Sequence, residues 1–254
     1  MIEIRRDSLR TVVLPDRGAM GRVAAEHAAE RLRAVLAQRS RARVIFAAAA
    51  SQADMLDALA AVDGIDWSRV DAFHLDEYVG LPQGDPSSFG QWLRDQIWSR
   101  VQPGRIELLD GGNPDPQAEA RRYGALLDDG GTDLGLIGIG ENGHLAFNDP
   151  HVADFDDPLT VKTVEIDATS RHQQVRDGAF ATYADVPTLA LTVTMSALLA
   201  SRSLSIVVPG SQKADAVART LDGPIETACP ASALRRHPDA VLFVDEPAFS
   251  LVPA

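Results

Sequence analysis

The chain has 254 residues, 45% of them apolar and 24% charged, enough to bury the core of one large α/β domain and ordinary for a soluble globular protein. Its formal charge of −12, from 36 acids against 24 bases with no basic run, argues against a nucleic-acid or anionic-membrane surface as partner. No apolar stretch approaches the roughly 20 residues of a membrane span, the start MIEIRRDSLRTVVL lacks a signal peptide's apolar centre, and Cys229 as the only cysteine permits neither an intrachain disulfide nor a cysteine metal cluster, so a cytoplasmic protein is expected.

Apolar, β-branched runs alternate with stretches of helical period, the pattern of repeated βα units around a largely parallel sheet. Residues 20–39 carry Val23, Ala24, His27, Ala28, Leu32, Val35 and Leu36 near helical spacing and read as a sheet-covering helix. Residues 43–49 read as a buried strand running into Ser51 as N-cap, with 52–62 as the next helix. A strand over 70–75 ends in DEYVGLP; Ser87 then caps a helix reaching to about residue 100, and 106–109 is a short strand before the loop LLDGGNPDP. Further on, 116–128 is helical and 134–139 is a strand that stops at GENGHLAFNDP. Strands follow over 160–166, 189–194 and 203–208, then a turn and helix in PGSQKADAVARTL, and a last strand over 240–244 closed by DEP. With no internal repeat, low-complexity tract or linker, one domain over 1–254 is expected.

In open α/β sheets, ligands sit where loops leave the carboxyl ends of the strands. Four polar clusters fall there: AAAASQ (47–52), HLDEYVGLP (74–82), GENGHLAFNDP (140–150) and PGSQK (209–213). Asp76 and Glu77, directly after a strand, suit a general base on a rigid support, though a strand-end acid pair is also a common turn or N-cap. His144 lies in a glycine-rich loop; read alone, a loop histidine is more often a surface residue than a catalyst, although its ordinary pKa suits proton transfer near neutrality. Asp149, five residues on, can fold back to fix the ring's tautomer. The GSQK turn can place backbone N–H groups and an ammonium at a helix start, a natural anion site, though a plain helix start with an exposed lysine is an equal reading; Lys213 and Lys162 are the only lysines in the chain. The GxGxxG string at 138–143 is not read as a dinucleotide site, because FNDP breaks the helix that should follow. His74, His151, His172 and His237 show no metal-ligand spacing, so no metal and no cofactor are expected.

Taken together, DEYVGLP, GxGxxGHxAFNxP, ALTVT (190–194), GSQKA and HPDAVLFVDEP, in this order from about Arg43 to Pro247, resemble the glucosamine-6-phosphate deaminase (isomerising) family. The resemblance implies a Rossmann-like three-layer α/β fold with a central, mostly parallel sheet flanked by helices. It also implies a metal-free conversion of glucosamine 6-phosphate and water to fructose 6-phosphate and ammonia. Asp76 matches the family's carboxylate that moves a proton between C2 and C1, and His144 the ring-opening histidine. Asp149 matches the acid, usually a glutamate, that orients the histidine. Lys213 and Arg176 match the phosphate-binding lysine and arginine. Asn142 stands where well-known members have an aspartate, and AAAASQ, with Ala49, Ala50 and Ser51 at the expected phosphate loop, replaces a glycine-rich turn; alanine keeps the N–H donors but resists positive φ. The resemblance implies a small-molecule sugar-phosphate partner and is compatible with a homo-oligomer. Two alternatives stand beside it: a 6-phosphogluconolactonase-type hydrolase, which shares GxGxxGH but lacks FNxP and has arginine in place of Tyr78, and a non-catalytic sugar-phosphate-binding module, which would not need the acid/base residues and for which no helix-turn-helix segment is seen.

Overall fold

In the computed structural model, which describes residues 1–253, the apolar runs become the strands of one eight-stranded sheet and a small antiparallel one. The large sheet contains β1 (Ile2–Arg6), β2 (Leu9–Leu14), β3 (Ala42–Phe46) and β4 (Val70–His74). The small sheet takes β5 (Asp76–Tyr78), while β6 (Arg105–Ile106) and β7 (Leu134–Ile137) return to the large one. After them, β8 (Val161–Glu165) and β9 (Leu189–Val193) complete the small sheet, and β10 (Ser203–Val208) and β11 (Ala240–Asp245) the large one. The spatial order is β1-β2-β11-β10-β7-β3-β4-β6; only the β1–β2 hairpin is antiparallel, and every other neighbouring pair is parallel. The chain lays β4 and β6 outward from β3, then returns to place β7 on the other side of β3. The boundary between β3 and β7 is therefore a topological switch point, where such sheets form a ligand crevice.

The strands bury both faces. Val44 and Phe46 pack with the helix Arg17–Gln38, whose Met20, Ala24, Ala25, Ala28, Ala29 and Leu32 are buried, while Ile45 between them points into a second core with Phe73, Ile137, Leu204 and Ile206. Alternate residues thus feed opposite layers, and the helices on each face complete a three-layer α/β arrangement. Among the described residues no helix is long and apolar enough to cross a membrane.

Several local expectations are corrected. The N-terminal hairpin is absent from the elements expected from periodicity, and β5, β8 and β9 leave the main sheet to form an antiparallel order β5-β9-β8. Ser51 is not an N-cap: Ala49 leaves β3 extended (φ −159°, ψ 151°), and its carbonyl accepts from Gln52 N at 2.8 Å, so Ser51 lies inside the tight turn Ala50–Gln52 before the helix Ala53–Ala60. The next cap is Ser88 rather than Ser87, its hydroxyl accepting from Gln91 N at 3.1 Å at the start of Phe89–Leu93.

Candidate active site

Four adjacent parallel strands, β10, β7, β3 and β4, each end in one of the polar clusters, so the sheet brings four segments distant in sequence to one edge. There Ala48, Ala49, Ser51, Asp76, His144 and Lys213 line one crevice of about 60 Å³. It adjoins a cavity of about 210 Å³ through Ala48, Ala49, Phe89 and Gln174. Neither alone reaches the roughly 300 Å³ of a usual small-ligand site. A cavity of about 350 Å³ bounded by Thr132 and Ser201 opens at the amino ends of β7 and β10 and holds none of the four clusters.

His144 is almost buried and its ring lies on the backbone of Gly140, where a Cβ would fall 2.1 Å from the imidazole. Gly143, at φ +89°, turns the loop back against Cys229. No helix follows these glycines; the loop runs through turns to Pro150. His144 Nδ1 lies 2.8 Å from Asn142 Oδ1 and 3.0 Å from Asp149 Oδ1. Both are acceptors, so Nδ1 carries a proton, and in the neutral ring it is Nε2 that presents the lone pair. Burial alone would raise the Asp149 carboxyl, but the hydrogen bond and charge of His144, with hydrogen bonds from Asn142 and Ser170, hold it well below the usual carboxylate range. Asn142 and Asp149 stand behind the histidine and do not line the crevice.

The acid pair after β4 divides its labour. Asp76 faces the crevice, and its carboxylate has no hydrogen-bond donor among the described residues; burial, then the neighbouring Glu77 charge, push its carboxyl well above the ordinary range. Glu77 turns away and accepts from Tyr78 N, Phe89 N and Gly90 N at 3.0, 3.1 and 3.0 Å, serving the start of the following helix. Burial brings its pKa up to about 7 against those three hydrogen bonds. His74 fixes the backbone of Asp76: Leu109 N donates to Nε2 and Nδ1 donates to Asp76 O, both at 2.9 Å, and burial lowers its pKa to about 4.

Opposite the histidine, Lys213 is buried, with its Nζ 3.2 Å from Gln173 Oε1, an oxygen that also accepts from Glu141 N at 3.2 Å. Burial draws the lysine down to about 8, with Glu141 and Asp177 opposing and Arg176 adding to the shift. None of Ala47 to Ala50 has positive φ, so the alanines meet no steric penalty, and the N–H groups of Ala48, Ala49, Ala50 and Ser51 have no backbone acceptor among the described residues. Ala50 lies in the adjoining cavity rather than the crevice, its carbonyl taken by Arg17. Arg176 is paired with Glu141 and is not among the residues that line the crevice. Among the described residues no group of three or more His, Cys, Asp or Glu side chains is placed to hold a metal ion.

Reading from sequence passed over Ser170, Gln173 and His74. The first two lie on the helix Ala168–Arg176, whose stretch ATSRHQQVR has too few apolar residues to show a helical period. Asp167, which caps it by accepting from Thr169 N at 2.7 Å, was the available signal.

The model of the family described as glucosamine-6-phosphate isomerases/6-phosphogluconolactonase matches residues 15–243. The chain is 36% identical over 188 residues to a glucosamine-6-phosphate deaminase of an Exiguobacterium species, covering 74% of this chain and 72% of the relative. It is 35% identical over 187 residues to one of Bacillus thuringiensis, covering 74% and 70%. Among solved structures, a monomeric glucosamine-6-phosphate deaminase superposes with a TM-score of 0.88 at 29% identity, over 95% of this chain and 99% of that one. A 6-phosphogluconolactonase from Thermotoga maritima superposes at 0.75 with 19% identity, over 92% and 98%, a likeness of fold alone.

Proposed function

The chain belongs to the family of glucosamine-6-phosphate isomerases and 6-phosphogluconolactonases, and on that premise we propose that it is a deaminase of a single domain. It converts glucosamine 6-phosphate and water to fructose 6-phosphate and ammonia. The observation that carries this reading is the meeting of Asp76, His144 and Lys213 in one crevice, a proton carrier, an oriented imidazole and a cation within one site.

With Nδ1–H held by Asn142 and Asp149, Nε2 takes the proton of the anomeric hydroxyl and returns it to the ring oxygen, opening the pyranose. Asp76, whose carboxylate is made a stronger base by burial, removes the proton from C2 and delivers it to C1. With O1 gaining a proton and the C2 amine giving one up, the aldehyde becomes an enolamine and then a C2 imine, which water hydrolyses with loss of ammonia. Lys213 and the free N–H groups at 48–51 hold the phosphate, and Arg176 joins them by exchanging Glu141 for a phosphate oxygen. The net charge of −12 supports a small-molecule substrate over a nucleic-acid partner.

Buried Tyr78 favours the deaminase over the lactonase. It packs against Phe89, Phe147 and Phe180 with ring centroids 4.6, 5.6 and 5.2 Å apart, where the lactonase pattern would place an arginine. Incubation with glucosamine 6-phosphate, without added metal, should release ammonia and fructose 6-phosphate. Hydrolysis of 6-phosphogluconolactone with no ammonia from the amino sugar would reverse the assignment.

A further inference from the structure

His144 has one neighbour that its own loop does not supply. Ser170 comes from the helix Ala168–Arg176, 26 residues further along the chain, and is fully buried. Its Oγ lies 2.9 Å from His144 Nδ1 and 2.5 Å from Asp149 Oδ1. The carboxylate has no hydrogen to give, so the hydroxyl donates to Asp149 and turns a lone pair toward Nδ1–H.

Of the three oxygens around Nδ1, two have an alternative that would undo the tautomer. The Asn142 amide, flipped, would point its NH₂ group at Nδ1; the serine hydroxyl, rotated, would donate there itself. Both alternatives are blocked by Asp149 Oδ1, which accepts from Asn142 Nδ2 at 2.9 Å as well as from Ser170. The other carboxylate oxygen accepts from Asp167 N at 3.0 Å, at the start of the same helix. The helix is thus clamped on Asp149 through both oxygens, while its Gln173 reaches Lys213 at the far side of the crevice.

We propose that Ser170 is a positioning residue: it locks His144 with Nδ1 protonated and Nε2 free, and makes that lock depend on the helix Ala168–Arg176 being seated over the crevice. The inference rests on the ring-opening role proposed for His144.

The test combines kinetics with ¹⁵N NMR of the histidine side chains in the full chain, His144 being assigned by its loss in His144→Gln. The wild type should show the Nδ1–H tautomer. Ser170→Ala leaves Nδ1–H its acceptors on Asn142 and Asp149 but takes away the third acceptor and one donor to Asp149, so a minor Nε2–H tautomer should become detectable, with kcat about tenfold lower, the worth of one hydrogen bond to a charged group. KM should change by no more than about twofold, because the hydroxyl does not touch the substrate. An unchanged tautomer and kcat in Ser170→Ala would overturn the inference, and so would a wild type protonated at Nε2. If Ser170→Ala does not fold, Ser170→Thr keeps the hydroxyl and should preserve the wild-type tautomer; a mixture there also overturns it. Absence of ammonia release by the wild type would remove the deaminase reading instead, leaving the tautomer measurement to judge Ser170 separately.

Discussion

The Asn142 side chain donates to Asp149 Oδ1 over 2.9 Å while its own Oδ1 accepts from His144 Nδ1 at 2.8 Å. An amide is the one group of that shape that can face a carboxylate and an imidazole N–H at once without a like-charge contact. Asn142→Asp puts two carboxylates at that contact, and one of them must keep a proton. The raised folded-state pKa makes the variant lose stability as pH rises from the ordinary carboxylate range through that pKa. Thermal melts should therefore show Asn142→Asp about 1 to 3 kcal/mol less stable than wild type at pH 8, with the deficit shrinking toward pH ~5. Turnover should stay within about tenfold, since the protonated pair still offers Nδ1 an acceptor.

Asp76 has no hydrogen-bond donor to its carboxylate among the described residues and faces the crevice, so its substitution changes chemistry more than packing. Asp76→Asn should lower kcat by about 10²- to 10⁴-fold, the usual worth of a general acid–base group. Binding of fructose 6-phosphate, measured by calorimetry, should remain near wild type; full activity in the variant would remove Asp76 from the proton transfer.

The reading of Lys213 as the phosphate-binding cation predicts a pH dependence of substrate capture. Burial lowers its pKa to about 8, so the ammonium is present below that pH and lost above it. In the free enzyme, kcat/KM should fall about tenfold per unit beyond that point, with kcat at saturating substrate little changed. Lys213→Met should abolish this limb and lower kcat/KM about a hundredfold or more, as expected when a buried phosphate loses its cation.

The alanine loop after β3 differs from a glycine-rich phosphate turn in composition but not in conformational need, because Ala49 is extended at φ −159°. Ala49→Gly should leave KM within about twofold and cost about 0.5 to 1 kcal/mol of stability through the freer unfolded chain. A large gain in substrate affinity would show that the methyl group, rather than the backbone, limits the site.

Glu77 is a structural acid beside the acid proposed to carry the proton. Glu77→Ala strips the acceptor from Tyr78 N, Phe89 N and Gly90 N and should cost about 2 to 4 kcal/mol in urea unfolding. Glu77→Gln keeps part of that set and removes a charge that raises Asp76. The acid limb of the kcat/KM profile should then move to lower pH.

Most strand runs of the central sheet, a helix over 20–39 and the four polar clusters at strand ends were legible in the sequence, because apolar period and the turn chemistry of Gly, Pro, Ser and Asp are local properties; the N-terminal hairpin and β5 were not. Local patterns carried less about caps: Ser88 rather than Ser87 meets the free N–H groups, a difference of one residue that depends on backbone angles. What only the tertiary structure decided is which segments meet. The order β10-β7-β3-β4 gathers Lys213, His144, Ala49 and Asp76 at one edge, since parallel strands point all their carboxyl ends the same way. The antiparallel β5-β9-β8 sheet holds Asp76 in place, and a polar helix with no readable period delivers Ser170 to the histidine and Gln173 to the lysine. Residue chemistry proposes the participants; contacts between distant segments put Asp76 in the crevice, Glu77 at a helix start and Arg176 against Glu141.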